Sequence, residues 1–170
     1  MVSLFEPHTD IIIKGGREVE YGHKVTLSTG KSGLVLDAVI ETGNPPDTTC
    51  FLPMLHRHIA QYGKPPVSLA ADGGYAQQDN LVQAKQLDVQ HVAFHKKKGL
   101  TIEAMTGERW LYYKLKRFRA GIEAGISYLK RCFGLSRCNW KGLAHYRAYV
   151  WSSIFTHNLV VFGRKRPAPA

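Results

Sequence analysis

The stretch Val67-Ser68-Leu69-Ala70-Ala71-Asp72-Gly73-Gly74-Tyr75 decides the fold of this 170-residue chain. Residues 67–71 are short and apolar, as in a strand that is covered on both faces. The strand stops at Asp72, and the two glycines after it permit unusual backbone angles and leave room for a ligand. An aspartate at the carboxyl end of a buried strand stands where open α/β sheets place function. Taken alone, however, Asp-Gly-Gly-Tyr is more often a plain turn.

Strands and helices alternate around this stretch, which indicates one α/β domain with a mixed sheet flanked by helices and no dividing linker. The first two strands should form an antiparallel hairpin, and Asp47 is placed to cap the first helix. The predicted elements are, in order, strands at 19–28 and 33–41, a helix at 48–62, a strand at 67–71, a helix at 78–87, a strand at 89–94, a helix at 108–132 and an apolar helix at 143–162.

The helix at 108–132 carries a charged stripe beside an apolar one. At 100° per residue, the polar side chains on either side of Glu123 fall within about 40° of it. These are Lys116, Arg119, Ser127 and Lys130. The apolar stripe lies near −100° and contains Leu115, Phe118, Ile122, Ile126, Leu129 and Phe133. The helix can therefore pack on a sheet and hold Glu123 at the edge of the packed face, although a glutamate between cations is also typical of a surface ion-pair network.

Positive charge is concentrated in the last 76 residues. Residues 1–94 hold 7 basic and 10 acidic side chains, whereas residues 95–170 hold 16 basic and 3 acidic ones, which gives a net charge of +10 for the whole chain. A single basic run is usually a solvated helix face, but such a one-sided field favours a polyanionic partner such as DNA.

Cysteine content and hydropathy point to a reducing compartment and to no membrane. The chain has three cysteines, an odd number that argues against a disulfide framework. Cys132, Cys138 and His145 do not have the spacing of zinc ligands. The most apolar stretch, residues 143–162, includes two histidines and an arginine, so we expect a core helix there rather than a membrane span.

Asp72 and Glu123 become informative as a pair. A strand-end aspartate with a helix glutamate facing the sheet is an arrangement from which Mg²⁺ sites for phosphoryl transfer are made. Hard cations need carboxylate oxygens and keep positions open for phosphates. The two residues therefore predict a magnesium site.

The residues around Glu123 resemble a known signature. Arg119, Glu123 and Lys130 have the R-x3-E-x6-K spacing found in many insertion-sequence transposases with an RNase H-like catalytic domain. The signature begins with a tyrosine three residues before the arginine, where this chain has Lys116. The blocks that agree in order and kind are Ser3 to Asp10, Gly22-His23-Lys24, Gly43-Asn44 with Asp47, Ala71 to Tyr75, Phe94 to Lys97 and Phe118 to Glu123. The chain is most similar to transposases of the ISNCY group.

The resemblance implies a DDE transposase. It implies that residues 1–170 form a truncated RNase H-like catalytic domain. This domain would have a core portion at 1–135 and a C-terminal helix and basic tail at 136–170. It implies Mg²⁺-dependent DNA strand cleavage and transfer at two ions held by three carboxylates, with Asp72 and Glu123 as the second and third. The intact enzyme would act on insertion-sequence ends as a homo-oligomer in the bacterial cytoplasm, at the nucleoid. Lysine and arginine side chains would hold the DNA phosphates; those expected are Lys96, Lys97, Lys116, Arg119 and Lys130.

The first carboxylate and its central strand are expected to be missing. In such transposases they precede the block that resembles residues 3–28, where this chain begins. Asp10 and Asp37 could replace that carboxylate only in principle, since each lies in a block that matches a non-catalytic segment. Without the central strand, the hairpin and the strand at 67–71 lack a partner, so we expect the isolated chain to be inactive and poorly stable.

Two other classes stay open at this point. The chain could be a non-catalytic basic module that binds nucleic acid, or an α/β protein whose charge asymmetry is incidental. Salt-dependent DNA binding separates the last of these from the others, because phosphate contacts weaken steeply as salt rises.

Overall fold

The computed structural model describes residues 6–14 and 18–165 of the chain. Residues 3–5 of the first matching block and residues 166–170 of the basic tail lie outside these ranges. Six strands and five helices are described, together with a short 3₁₀ turn at Gly73–Tyr75. The strands are β1 (Asp10–Lys14), β2 (Glu18–Gly22), β3 (Val25–Thr29), β4 (Val35–Ile40), β5 (Ser68–Ala71) and β6 (His91–Phe94). The helices are α1 (Asp47–Tyr62), α2 (Gln78–Gln86), α3 (Ile102–Thr106), α4 (Arg109–Cys132) and α5 (Leu143–Arg164).

The chain divides into two compact units. Unit 1 consists of Met1–Asn44 and Ala124–Ala170, and unit 2 consists of Pro45–Glu123. Helix α4 begins in unit 2 and ends in unit 1. The division into a core portion at 1–135 and a C-terminal portion at 136–170 stays a prediction.

Unit 2 is built on the parallel pair β5 and β6. Ser68 lies opposite His91 and Ala71 opposite Phe94, so both strands end at the same edge. The predicted β-α-β connection through α2 is confirmed, because a parallel pair needs such a crossover. Strand β5 was expected to be buried on both faces, and this is wrong: Ser68 is exposed and the other three residues are half-buried. The core of unit 2 includes Phe51, Leu55, Leu81, Ala84, Val89, Val92, Phe94, Met105 and Tyr112.

Unit 1 contains two antiparallel hairpins. The stretch predicted as one strand at 19–28 is two strands, β2 and β3, which are separated by His23 and Lys24. Strand β2 pairs with β1, which the sequence reading missed, and β3 pairs with β4. The turn between β3 and β4 is as predicted, with Gly33 at a φ of 81°. The break was missed because strand pairing depends on partners elsewhere in the chain.

Helix α5 packs on β4 in unit 1. Its buried residues Val150 and Ile154 join Val35, Ala38 and Leu129 in a second core. The side chain of Asn158 accepts a hydrogen bond from the backbone N–H of Val35 at 2.9 Å and donates one to its carbonyl oxygen at 2.8 Å. The Asn158 amide thus satisfies the backbone N–H and the backbone carbonyl of Val35, the first residue of β4.

The described residues do not form the single mixed sheet that was predicted. They form three two-stranded sheets, β1 with β2, β3 with β4 and β5 with β6. In a two-stranded sheet each strand has one hydrogen-bonded neighbour, which explains why β5 is only partly covered. The coarser prediction of a mixed α/β fold is confirmed.

Helix α4 matches its predicted bounds to within one residue. Its apolar stripe is buried at Leu129 and half-buried at Leu115, Ile122 and Ile126, whereas Phe118 is 37% exposed. Helix α1 begins at Asp47 with Pro46 in the N-cap position, so the predicted capping role of Asp47 is wrong. The carboxylate of Asp47 lies against Gly74 instead.

Candidate metal and DNA-binding site

Asp72 lies at the carboxyl end of β5, as predicted. Its carboxylate accepts a hydrogen bond from the backbone N–H of Gly73 at 2.7 Å and so caps the 3₁₀ turn. A Cβ on Gly73 would lie 2.7 Å from the Cβ of Lys96, and one on Gly74 would lie 2.1 Å from Asp47 Oδ2. Neither glycine has a positive φ. The two glycines are needed because neighbouring side chains approach the turn closely, and not for unusual backbone angles.

Arg119 brings the two predicted metal ligands together. Its Nη2 lies 3.2 Å from Asp72 Oδ2, and its Nη1 contacts Glu123 Oε1 one helical turn further along α4. The arginine side chain is only 13% exposed, compared with 49% for Asp72 and 67% for Glu123. The strand-end aspartate and the helix glutamate therefore share one guanidinium group, and their carboxylates lie on the same side of unit 2.

The ion pairs at Arg119 are weak enough to be exchanged. Because both carboxylates are about half or more exposed, water screens the attraction, and pairs of this kind are worth about 0–1 kcal/mol each. Carboxylate oxygens are also the ligands that Mg²⁺ prefers. Arg119 thus lies where a divalent cation could bind after the guanidinium has moved aside.

The structure gives no third carboxylate beside this pair within the residues it describes, since no group of three or more His, Cys, Asp or Glu side chains in those ranges could hold a metal ion. Asp10 accepts hydrogen bonds from Gly43 N–H and contacts His23. Asp37 is 7% exposed and accepts from the N–H of Ala38. Both residues belong to unit 1, and their possible role in place of the first carboxylate stays a prediction.

A groove on α4 lies beside the acid pair. It has a volume of about 520 Å³ and is lined by His95, Tyr113, Lys116, Arg117 and Ala120. The four helix residues follow i, i+3, i+4, i+7 spacing, so they share one face. His95 comes from the loop after β6, where its N–H donates to Ala71 O at 2.9 Å and its buried Nδ1 has no hydrogen-bond partner. His95 lies in the matching block Phe94 to Lys97, but neither His95 nor Arg117 was predicted as a site residue, although the helical spacing was a signal for Arg117.

The other predicted DNA contacts are less concentrated. Lys96 and Lys97 are exposed in the loop after β6, and Lys97 Nζ lies 5.7 Å from the centre of the Tyr112 ring. Lys116 is half-buried in the groove. Lys130 is exposed on the part of α4 that belongs to unit 1. Lys96, Lys97 and Lys130 are thus exposed, whereas Lys116 and Arg119 are not. Among these five predicted cations, Arg119 alone contacts Asp72 and Glu123.

Tyr112 supports the site from inside the core. The ring is 2% exposed, and the hydroxyl donates a hydrogen bond to Phe94 O at 3.0 Å. Burial raises the pKa of Tyr112, and the neighbouring Tyr113 raises it further. The contact fixes α4 to the end of β6, and hence to the strand edge that carries Asp72. Tyr112 is thus a core residue, whereas Trp110 and Tyr113 are 60% and 46% exposed.

The cysteines take no part in this arrangement. Cys50 is buried in α1, Cys132 and Cys138 lie in unit 1, and none of the three forms a disulfide. Within the described part of the chain, none of the helices has both the length and the apolar character that crossing a membrane requires.

Comparison with known proteins gave one match. A family model described as the transposase DDE domain matches residues 9–159 of the chain. No curated protein and no solved structure matches the chain. The matched range contains Asp72, Arg119, Glu123 and the whole groove on α4.

Proposed function

The chain belongs to the transposase DDE domain family, and from this membership we propose that it is part of an insertion-sequence transposase that cleaves and joins DNA strands with Mg²⁺. The observation that carries the proposal is the convergence of Asp72 and Glu123 on the guanidinium of Arg119. These two acids are 51 residues apart in sequence, so only the fold brings them to one place.

Asp72 and Glu123 fit the ligand set of a magnesium site. Mg²⁺ is usually bound through one or two carboxylates, and water and substrate phosphates complete its coordination. The bound ions would activate the attacking hydroxyl and stabilise the leaving oxygen at the scissile phosphate. Gly73 N–H orients the carboxylate of Asp72, and the α4 backbone holds Glu123 opposite it. The resulting arrangement of a strand end and a crossing helix agrees with an RNase H-like organisation.

The cations around the two acids would hold the DNA. Arg119 offers a planar fork that suits a phosphate, whereas a lysine offers a point charge on a flexible stem. We assign phosphate contacts to Lys96, Lys97, Lys116, Arg119 and Lys130. Arg119 exchanges its partners on loading, from the two carboxylates to a phosphate. A protein with this substrate would work in the bacterial cytoplasm at the nucleoid.

The chain by itself is proposed to be catalytically inactive. Two carboxylates leave the positions of two ions under-determined, and the described residues bring no third one to the pair. Assembly of the intact enzyme into a homo-oligomer is also part of this proposal.

Metal binding tests the proposal without requiring turnover. Mn²⁺, which takes the same oxygen ligands as Mg²⁺, can be titrated into the purified chain and followed by electron paramagnetic resonance. We expect one weak site that is lost in Asp72→Asn and in Glu123→Gln. Asp79→Asn, which changes an exposed acid on α2, is the matched control and should keep the site. Equal Mn²⁺ binding by all four proteins would overturn the assignment.

A second candidate function is a non-catalytic module that binds nucleic acid. It is favoured by the ion pairs of Arg119, which already neutralise part of the charge on the two acids. DNA binding that weakens with salt, in a chain that binds no Mn²⁺, would identify this module. Fluorescence anisotropy with a labelled duplex at several salt concentrations provides the measurement.

A further inference from the structure

Helix α5 in unit 1 presents an apolar strip to solvent along most of its length. At 100° per residue, the residues of the strip lie within about 40° of Phe155. The strip consists of Ala144, Ala148, Trp151, Phe155, Leu159 and Phe162. The exposed fractions of its large residues are 45% for Trp151, 64% for Phe155, 54% for Leu159 and 61% for Phe162. The buried residues of α5 lie about 100–160° from Phe155, so the strip is not part of the face that packs on β4.

The strip carries no charge. Helix α5 has no acidic residue, and its two arginines, Arg147 and Arg164, lie about 80° and about 180° from Phe155. At the border of the strip, the hydroxyls of Ser152 and Thr156 donate hydrogen bonds to backbone carbonyls one turn earlier in α5. A polyanion gains its affinity from cations, which the strip lacks. An exposed apolar strip of this kind is therefore typical of a contact with protein.

The strip has about the apolar area that a stable dimer needs. A whole aromatic residue can bury about 200 Å², so the three aromatic residues of the strip leave roughly 350 Å² exposed at their exposed fractions. A specific interface covers about 800 Å² on each partner, of which about 500 Å² is apolar. With Leu159 and the two alanines added, the strip supplies most of this apolar area.

The order of large and small residues along the strip suits an antiparallel pair of helices. With a two-fold axis at Phe155, residues at equal distances on either side of it in sequence lie opposite each other in the two copies. Ala148 then faces Phe162 of the second copy, and Trp151 faces Leu159 of the second copy. A parallel pair would set alanine against alanine and phenylalanine against phenylalanine, which leaves a gap at one level and crowding at another. Antiparallel helices also oppose their dipoles.

We propose that the α5 strip joins two copies of this chain in an antiparallel, two-fold symmetric helix pair centred on Phe155. Because both copies use the same strip, the interface closes on itself as a dimer. The inference deepens one part of the proposed function, the homo-oligomer, and rests on it. It uses neither Asp72 nor Glu123, so a chain that binds Mn²⁺ but stays monomeric would contradict this inference alone.

Sedimentation equilibrium of the full chain tests the pairing. The mass is expected to rise with concentration from 19.1 kDa toward twice this value. Phe155→Lys removes an aromatic anchor and places two ammonium groups at the axis, so the dissociation constant should rise at least about thirtyfold. Trp110→Lys changes a similarly exposed aromatic residue on α4 and is the matched control, which should leave the dimer unchanged. A chain that stays monomeric throughout, or a dimer that Phe155→Lys leaves intact, would overturn the proposal.

Disulfide cross-linking tests the antiparallel register. In a background with Cys132→Ser and Cys138→Ser, Phe155→Cys should cross-link to a second copy of itself, because the residue lies on the axis. Trp151→Cys and Leu159→Cys should cross-link only when the two variants are mixed. A parallel pair would instead cross-link each of these variants with itself, and this result would overturn the proposal.

Labelling of the thiol introduced by Phe155→Cys identifies the occupant of the strip if no cross-linked dimer forms. Slow labelling of a monomer would mean that another part of the same chain covers the strip. Fast labelling of a monomer would mean that the strip is free for a different partner. Either result contradicts a pair of α5 helices.

Discussion

Replacing Arg119 by glutamine is expected to strengthen metal binding while it weakens DNA binding. Arg119 Nη2 lies 3.2 Å from Asp72 Oδ2, and the same guanidinium contacts Glu123. A divalent ion that uses both carboxylates must displace these contacts. Glutamine keeps much of the side-chain length but removes the charge, so the two acids would be released to the ion.

The size of the effect follows from the exposure of the acids. In water-like surroundings, two unit charges about 3 Å apart attract by roughly 1.3 kcal/mol. Exposed pairs retain about 0–1 kcal/mol of this. Taken at about 0.5 kcal/mol for each pair, removal of both should release about 1 kcal/mol, which corresponds to about fivefold tighter Mn²⁺ binding. DNA affinity should fall, because a charge-assisted contact with phosphate is lost.

The assay compares Mn²⁺ titrations without DNA and anisotropy titrations without metal. Arg117→Gln is the matched control, since it removes an equal charge two residues away, from the groove rather than from the acid pair. It should reduce DNA binding and leave the Mn²⁺ affinity within about twofold, because distant exposed charges are screened. If Arg119→Gln left the Mn²⁺ affinity unchanged or lowered it, in a variant with an unaltered circular dichroism spectrum, the reasoning would be wrong.

Three further predictions concern the framework. Gly74→Ala places a Cβ 2.1 Å from a carboxylate oxygen of Asp47 and should lower the free energy of unfolding by about 1–3 kcal/mol. Gly121→Ala has open space around it on α4 and should raise the free energy of unfolding by up to about 1 kcal/mol. Urea unfolding measures both changes. The pKa of Tyr112 is raised by burial, so its neutral form is favoured in the folded state, and the stability this gives is present below pH 10 and lost as pH rises through the higher folded pKa. Tyr112→Phe should lose less stability than the unchanged chain as the pH rises, and should cost about 0.5–1.5 kcal/mol at neutral pH because the hydrogen bond is lost. Thermal unfolding between pH 7 and pH 11 measures this, and a variant that loses more stability than the unchanged chain over this range would contradict the prediction. Asn158→Ala removes both hydrogen bonds to Val35 of β4 and should lower the free energy of unfolding by about 1–3 kcal/mol. Hydrogen exchange should show faster exchange of the β4 amides and unchanged exchange of the β5 amides.

Helices α1, α2, α4 and α5 and the parallel pair could be predicted because their signals are local, whereas the short helix α3 was not predicted. The apolar period of α4 and the short apolar runs of β5 and β6 give each element its type and its approximate bounds. The hairpins of unit 1 were harder to predict. The run Ile11–Ile13 was not recognised as a strand, and the run at 19–28 was predicted as one strand although it breaks at His23 and Lys24. Which strands pair depends on contacts across the fold, and one chain's residue pattern does not specify them.

The candidate site was partly accessible from the sequence. Helical spacing put Arg119 and Glu123 on one stripe, and the end of an apolar run singled out Asp72. The pattern could not reveal that Arg119 contacts both acids, since Asp72 lies on a different element. His95 was also hidden, because its position beside Asp72 depends on the register that puts Ala71 opposite Phe94. Whether these residues hold metal and DNA stays a prediction.

The net charge of Asp72, Arg119 and Glu123 also has an electrostatic consequence. Two carboxylates and one guanidinium sum to a formal charge of −1 (−2 + 1), which repels a polyanion. Addition of one divalent ion changes the sum to +1 (−1 + 2), and the guanidinium becomes available at the same moment. The local field would then reverse its sign on loading. If the two acids hold the ion as proposed, we expect the ion to bind before the nucleic acid, and Arg119 neutralises part of the charge on the two carboxylates until then.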